Sequence, residues 1–407
     1  MEPSGKRPVG ADDRLSDLPD GLLHTIMSFL TAREAVQTCV LSRRWEDLWC
    51  SMPCLNIDEQ EFLPETEGSD TEAENDSCLA RARFEDFVST LLLFHSAQTL
   101  DVFRFNVVQL SNDELVDRWL CRGIKRCPKV VEIRSFYHKL PHLGSSSSRL
   151  KRLHLTMVTL DGTFTQQLRS GCPVLNDLEL KFCRFHSIAE IVSCTLKNLT
   201  IQHCRTNPRN TLIIKAPSLA YLQLVITVTG SDVNWAGGVV VSDMPFLIKA
   251  IIFLRNLHSN IPKVPCKLLF SLINVKYLEL TAFDTLANLH VGSNTFPVFH
   301  NVRTLMLDGC DLSDNFEFLG CFLSNAPALE KLTLQCCKLP EGEVKIKTGG
   351  NPKSTSQESQ ATPTFQCPSL KWTEIKYKED GDVQKVFDLL LGVWRNLQKS
   401  TIVIKKA

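Results

Sequence analysis

The sequence predicts an α/β chain, with a short helical module at the N-terminus and then a stack of repeats that each add one short parallel strand. Three observations carry that expectation. A Leu-Pro pair, Leu18-Pro19, opens a segment that closes on Ser42-Arg43-Arg44-Trp45-Glu46-Asp47-Leu48-Trp49. An LxxLxL pattern then recurs along most of the remaining chain. A Cys-Pro or Ala-Pro pair precedes many of its copies.

The N-terminal module runs from Asp13 to Cys50. Pro19 suits the first turn of a helix, where its missing N–H costs nothing, with Ser16 or Asp17 as the N-cap. Leu22, Leu23, Ile26, Phe29 and Leu30 follow at three- and four-residue spacing, which predicts one apolar stripe. Thr31 and Glu34 have capping-box spacing and open a second helix with Ala35, Val36, Cys39 and Val40 on its face. Ser42 caps a third helix carrying Trp45, Leu48 and Trp49. Three short helices enclose only a small core. At roughly 1.5–3 kcal/mol per buried large apolar side chain, the remaining apolar residues supply docking energy for a partner.

The pattern LPDGLLHTIMSFL…VLSRRWEDLW resembles the F-box of plant F-box proteins. That module docks on the Skp1-type adaptor of a cullin–RING ubiquitin ligase. The resemblance implies an adaptor contact begun by Leu18 and Pro19, continued by Leu22, Ile26 and Leu30, and completed by Val40, Ser42, Trp45, Leu48 and Trp49. Cullin and RING protein would be reached through the adaptor.

The repeats read Leu150-Leu153-Leu155, Leu175-Leu178-Leu180, Leu196-Leu199-Ile201, Leu219-Leu222-Leu224, Val275-Leu278-Leu280, Val302-Leu305-Leu307 and Leu329-Leu332-Leu334. Weaker copies are Leu100-Phe103-Phe105, Val130-Ile133, Leu247-Ala250-Ile252 and Leu370-Ile375. Measured start to start from residue 130, intervals of 20 to 28 residues, with 41 before the last copy, fit leucine-rich repeats of irregular length. The expected architecture is a right-handed solenoid with a parallel sheet on its concave side and helix or irregular chain returning on the convex side. Cys183, Cys204, Cys310 and Cys337 follow the last aliphatic by three residues and are expected as small buried groups where the chain leaves each strand. The prolines of Cys127-Pro128, Cys172-Pro173, Ala216-Pro217, Ala326-Pro327 and Cys367-Pro368 end the preceding segment and favour an extended entry to the strand.

Residues that alternate with the inward aliphatics face outward from the sheet. Candidates for contact with a target are Arg152, His154, Asp177, Glu179, Gln202, Tyr221, Gln223, Tyr277, Glu279, Met306, Asp308, Lys331 and Gln335. Their mixture of aromatic, amide and both charge signs suits a protein surface rather than a phosphate backbone, which demands repeated Lys and Arg.

The expected organisation is a disordered N-terminus (1–12), the F-box (13–55), an acidic linker (56–80), the solenoid (81–340), a low-complexity loop (341–364) and a C-terminal cap (365–407). No Lys or Arg occurs between Trp45 and Ala80, whereas Asp58, Glu59, Glu61, Glu65, Glu67, Asp70, Glu72, Glu74 and Asp76 accumulate there. Ser145 to Ser148 read as an exposed loop. The last segment reads as strand, helix, strand, with Val383, Val386, Phe387, Leu390, Leu391 and Val393 or Trp394 on the helix stripe. More loosely, it is similar to the FBD region that closes many plant F-box/leucine-rich-repeat proteins.

Charge and motifs narrow the function. With 45 basic and 45 acidic residues the chain has no global pull toward nucleic acid or anionic membrane. The first residues lack the apolar core of a secretory signal, and no run of eighteen apolar residues occurs, so a soluble protein of nucleus or cytoplasm is expected. The sixteen cysteines include no paired zinc knuckles, and no cofactor is expected. No Walker A, GxGxxG, GxSxG or HExxH motif is present, so the chain is expected to be non-catalytic. The expected role is a substrate receptor that tethers a target protein to a ubiquitin ligase for degradation. The alternatives are a non-degradative scaffold and a ligand-sensing receptor.

Overall fold

A computed structural model describes residues 15, 17–63, 71–108, 112–188, 190–205, 211–229, 232–233, 239–242, 244–256, 267–283, 296–313, 316–339, 367–378 and 401–406. The chain divides into two compact units, Met1–Val158 and Thr159–Ala407. Each follows the α/β pattern expected from the sequence.

The first unit begins with helices α1 (Asp20–Met27) and α2 (Ala32–Gln37). It continues through strand β1 (Cys54–Asp58), helix α3 (Thr71–Phe94), β2 (Val102–Val107), α4 (Asp113–Ile124), β3 (Val130–Ser135) and β4 (Arg152–Thr156). The four strands lie in chain order and are all parallel and in register, so that Leu55, Phe103, Val131 and Leu153 line up on the buried face. Phe62, Phe84, Trp119 and Phe105 pass ring to ring through the core, with centroids 5.3, 5.8 and 6.3 Å apart in succession. Gly123 lets α4 approach β2: a Cβ there would stand 2.3 Å from the Phe103 ring.

The residues expected to link the helical module to the repeats are largely ordered structure. Leu55 and Ile57 alternate with polar residues to form β1, Glu59–Phe62 is a 3-10 turn, and α3 begins at Thr71. The density of carboxylates hid this alternation of Leu and Ile from a reading based on charge. Glu65, Glu67 and Asp70 lie outside the described residues, as do residues 1–12, the low-complexity stretch and the expected C-terminal helix stripe. The Ser-rich segment is a 3-10 turn, Gly144–Arg149, in which Ser147 is buried and donates to Leu143 O at 2.9 Å.

His95 closes α3 onto the end of the helical module. Its Nε2 bonds Met52 O at 3.0 Å, while the Arg126 guanidinium donates to Nδ1 and, at 2.6 Å, to His95 O. Burial first, and then the Arg126 charge, lower its pKa from 6.5 to about 4. The folded state therefore favours the neutral ring. The associated stability is fully present above pH 6.5 and is lost as pH falls toward 4. The change amounts to about 3 kcal/mol. Chemical denaturation of wild type and His95→Gln between pH 7 and 4.5 is expected to show a steeper loss for wild type; parallel profiles would remove this account.

In the second unit the main strands are preceded and interspersed by short elements. In chain order these are β5 (Thr159–Leu160), α5 (Gly162–Ser170), β6 (Asp177–Lys181), β7 (Arg184–Phe185), β8 (Glu190–Val192), β9 (Asn198–Gln202) and β10 (Leu212–Lys215). Next come β11 (Tyr221–Thr229), β12 (Asp232–Val233), β13 (Val239–Ser242), β14 (Lys249–Asn256), α6 (Lys267–Ser271) and β15 (Tyr277–Thr281). The unit finishes with β16 (Thr304–Asp308), α7 (Glu317–Ser324), β17 (Lys331–Gln335), β18 (Trp372–Tyr377) and β19 (Thr401–Lys406). Its main sheet runs β6-β9-β11-β14-β15-β16-β17-β18-β19, every pair parallel, with β12 antiparallel on β11. The returns expected as helix or irregular chain include strands as well: β8, β10 and β13 make a second parallel sheet, and β5 pairs with β7.

Two local devices recur at the strand ends. At Ala216-Pro217 and Ala326-Pro327 the chain makes a turn closed by the leucine: Leu219 N bonds Ala216 O at 2.9 Å, and Leu329 N bonds Ala326 O at 3.1 Å. Proline is thus the second residue of a β-turn, where its fixed φ costs nothing. At the other end, Met157, Phe182, His203, Ala282, Gly309 and Cys336 all have φ between 50° and 58°. The amides of Phe182, Ala282 and Gly309 then reach the last carbonyl of the next strand, and that of Cys336 reaches Lys376 O one residue before the end of β18, all at 2.8–2.9 Å. Directly after this step come Cys183, Cys204, Cys310 and Cys337. The thiols of Cys204, Cys310 and Cys337 contact Leu180 O, Leu280 O and Leu307 O on the preceding strand at 3.3–3.4 Å. Burial raises their pKa values, that of Cys310 to about 12, so they remain thiols.

Candidate functional site

The N-terminal module has an inward and an outward apolar face. Pro19 occupies the N-cap position of α1, one place earlier than the first-turn position expected, and its carbonyl accepts from Leu22 and Leu23 N–H. The expected capping box on α2 is complete. Thr31 Oγ1 accepts from Glu34 N at 3.2 Å, and the Glu34 carboxylate accepts from Thr31 N at 2.9 Å. The third helix is replaced by two 3-10 turns, Arg43–Trp45 and Leu48–Ser51, with Ser42 at the N-cap position of the first.

The single stripe expected on α1 is in fact two. Leu23 and Met27, four residues apart, are fully buried against a core that includes Ala32, Ala35, Trp45, Leu48 and Met52. Leu22, Ile26 and Phe29 point the other way, and Val40 and Leu41 are also exposed; Phe29 and Val40 are each 84% accessible. Of the ten residues assigned to the adaptor, Pro19, Leu22, Ile26 and Val40 are exposed, while Leu18, Leu30, Ser42 and Trp49 are half-buried. Trp45 and Leu48 are buried, at 2% and 7%, so they support the face from beneath. Phe29 and Leu41 belong to the exposed set although neither was assigned to it. The available signal was the excess of apolar residues on α1, too many for one side of a two-turn helix.

Polar ties hold this face. Arg44 bonds Asp20 at 2.7 Å, which lowers the Asp20 pKa, and His24 Nε2 lies 3.3 Å from Leu48 O and 3.2 Å from Ser51 Oγ. The Arg33 guanidinium donates to Glu61 O and covers the Phe62 ring at 4.7 Å. Phe62 in turn packs on Phe84 and Phe87 of α3. The core that three short helices cannot complete alone is thus extended by the following turn and helix.

The thirteen candidate target-facing residues all lie on the outward side of their strands. Arg152 and His154 alternate with buried Leu153 and Leu155 on β4 of the first unit. In the second unit, register sets the candidates in rows. The first includes Asp177, Tyr221, Tyr277 and Lys331; the second Glu179, Gln223, Glu279 and Met306; the third Gln202, Asp308 and Gln335. Strand β14 inserts Lys249, Ile251 and Phe253 into these rows. Those residues escaped the sequence reading because Ala250 takes the place of the usual leucine and made that copy weak.

Lys249 lies between two rings, its Nζ 4.5 Å from the Tyr277 centroid and 5.9 Å from that of Tyr221. Tyr221 donates to Gln223 Oε1 and Tyr277 to Glu279 Oε2, both at 2.9 Å. Burial and the neighbouring Glu279 raise the Tyr277 pKa to about 12, so its hydroxyl stays a donor. Among the described residues, no group of three or more His, Cys, Asp and Glu side chains could hold a metal ion.

Comparison with known proteins places these features in a family. The F-box domain model matches residues 15–56, the span of the exposed apolar face. A rice protein, the meiotic F-box protein MOF of Oryza sativa subsp. japonica, is 32% identical over 400 residues, covering 90% of this chain and 80% of that protein. An F-box/LRR-repeat protein of Arabidopsis thaliana is 27% identical over 432 residues, covering 89% and 84%. A probable FBD-associated F-box protein of the same plant is 26% identical over 431 residues, covering 97% and 93%.

Proposed function

The chain belongs to the plant F-box/leucine-rich-repeat proteins, and from that premise we propose that it is the non-catalytic substrate-recognition subunit of a Skp1–cullin–F-box ubiquitin ligase. The observation that carries this reading is the exposed set Leu22, Ile26, Phe29, Val40 and Leu41 on a module whose other apolar face is already buried. Exposed large apolar residues concentrated within one short module are the mark of a surface made to be covered. A Skp1-type adaptor covers it, and brings cullin and RING protein. The strand face holds a target protein near the charged conjugating enzyme. The chain then contributes local concentration rather than reacting groups, and the target is marked for degradation in the nucleus or cytoplasm.

Gel filtration of the purified chain with a Skp1-type adaptor, a cullin and its RING protein is expected to give one four-component complex. A complex that stops at the adaptor would favour a scaffold and overturn the ligase reading. Recovery of the chain without adaptor would overturn the docking itself.

A further inference from the structure

Most lysines on the strand face of the second unit are held by an oxygen of the protein. Lys181 pairs with Glu179 at 2.7 Å, Lys405 with Glu374 at 3.0 Å, and Lys376 bonds Gln335 Oε1 at 3.2 Å. Lys249 differs: among the described residues no carboxylate lies at ion-pair distance, and two aromatic rings flank it instead. Those rings are fixed through their hydroxyls to Gln223 and Glu279, and Met306 Sδ lies 3.6 Å from the Tyr277 hydroxyl. The half-buried ammonium is therefore positioned before any ligand arrives, which lowers the entropy lost on binding.

The edge where these strands begin adds more. Phe246 and Ile248 are exposed, at 67% and 51%. Lys276 N bonds Ile248 O and Arg303 N bonds Lys276 O, both at 2.9 Å, so Ile248, Lys276 and Arg303 stand side by side immediately before β14, β15 and β16, about 4.8 Å apart. Lys276 and Arg303 are both exposed. Arg303 has only a loose contact with Glu330, 3.9 Å away. A half-buried cation between tyrosines, an apolar rim and two further cations thus occupy one edge.

We propose that Tyr221, Lys249 and Tyr277 anchor the target, and that the segment they take is an extended acidic stretch of a protein. One carboxylate seats on Lys249 between the rings, others meet Lys276 and Arg303, and an apolar neighbour covers Phe246 and Ile248. A nucleic acid fits less well, because Glu179 and Glu279 stand in the next row and Ile251 and Phe253 present no charge to a phosphate backbone. This assignment rests on the chain being a target receptor. It is independent of whether the adaptor recruits a cullin.

The test is a displayed library of random dodecapeptides panned on the full chain bound to its adaptor. Selected peptides are expected to be rich in Asp and Glu beside apolar residues. They should bind Lys249→Met at least about tenfold more weakly, the effect of removing one charged contact. Lys249→Arg should retain part of the affinity. The exposed double variant Lys276→Glu, Arg303→Glu should lose binding without a change in melting temperature, which keeps the test decisive if Lys249→Met is unstable. Peptides without acidic enrichment, equal binding by the variants, or tighter binding of a single-stranded RNA oligonucleotide at the same salt would overturn the proposal. Adaptor retention is read in the same samples. Lost peptide selection with retained adaptor removes the anchor alone, and lost adaptor with retained peptide removes the ligase reading alone.

Discussion

Phe29→Ala is expected to weaken binding of a Skp1-type adaptor by at least about 30-fold, corresponding to about 2 kcal/mol for an aromatic anchor buried at an interface. The side chain is 84% accessible in the chain alone and follows the last turn of α1, beyond the inward pair Leu23 and Met27. Its removal leaves no cavity, so stability should change by no more than about 0.5 kcal/mol. Titration calorimetry with purified adaptor and a melting curve of the free variant read the two effects separately. Unchanged affinity in both Phe29→Ala and Leu22→Ala would show that the outward face is not the docking face.

Trp45→Ala is expected to act by the opposite route. Trp45 is 2% accessible and lies among the largest buried side chains of the chain, beneath the outward face. Truncating a buried Trp costs about 3–5 kcal/mol through lost burial and the cavity left behind. The module has few other large groups to compensate, so adaptor binding should fall because its fold fails. Hydrogen exchange should report this as early loss of protection in α1 and α2 of the free variant. If stability and protection are unchanged while adaptor affinity falls, Trp45 contacts the adaptor directly, as the family resemblance implied. Both variants lose the adaptor; only the stability of the free chain separates them.

Both contrasts show how far residue order carries. The capping box of Thr31 and Glu34 was legible because its partners are three residues apart and need nothing else. Each of the eleven LxxLxL copies is a strand, since alternation at period two is a local property of the chain. The cysteine slot was legible for the same reason. Strand β1 was not, because two aliphatics among carboxylates carry a weak pattern, and its pairing with β2 supplies what the pattern lacks. The division of α1 into inward and outward faces was also hidden. Leu22 and Leu23 are adjacent in sequence and chemically identical, and only the packing of the rest of the module leaves one exposed and the other buried.

Local spacing therefore established the class of the fold, the repeating strands and the helical N-terminal module, whose motif carries the resemblance to its family. It did so because helical and strand periodicities are written along the chain within a few residues. Contacts across the sheet follow a different rule. Tyr221, Lys249 and Tyr277 are each 28 residues apart, and they meet because the return segments bring their strands into one register. That register depends on the packing of every return, as the outward face of the module depends on what fills its core. Which residues a partner can touch was settled there, in the packing between segments.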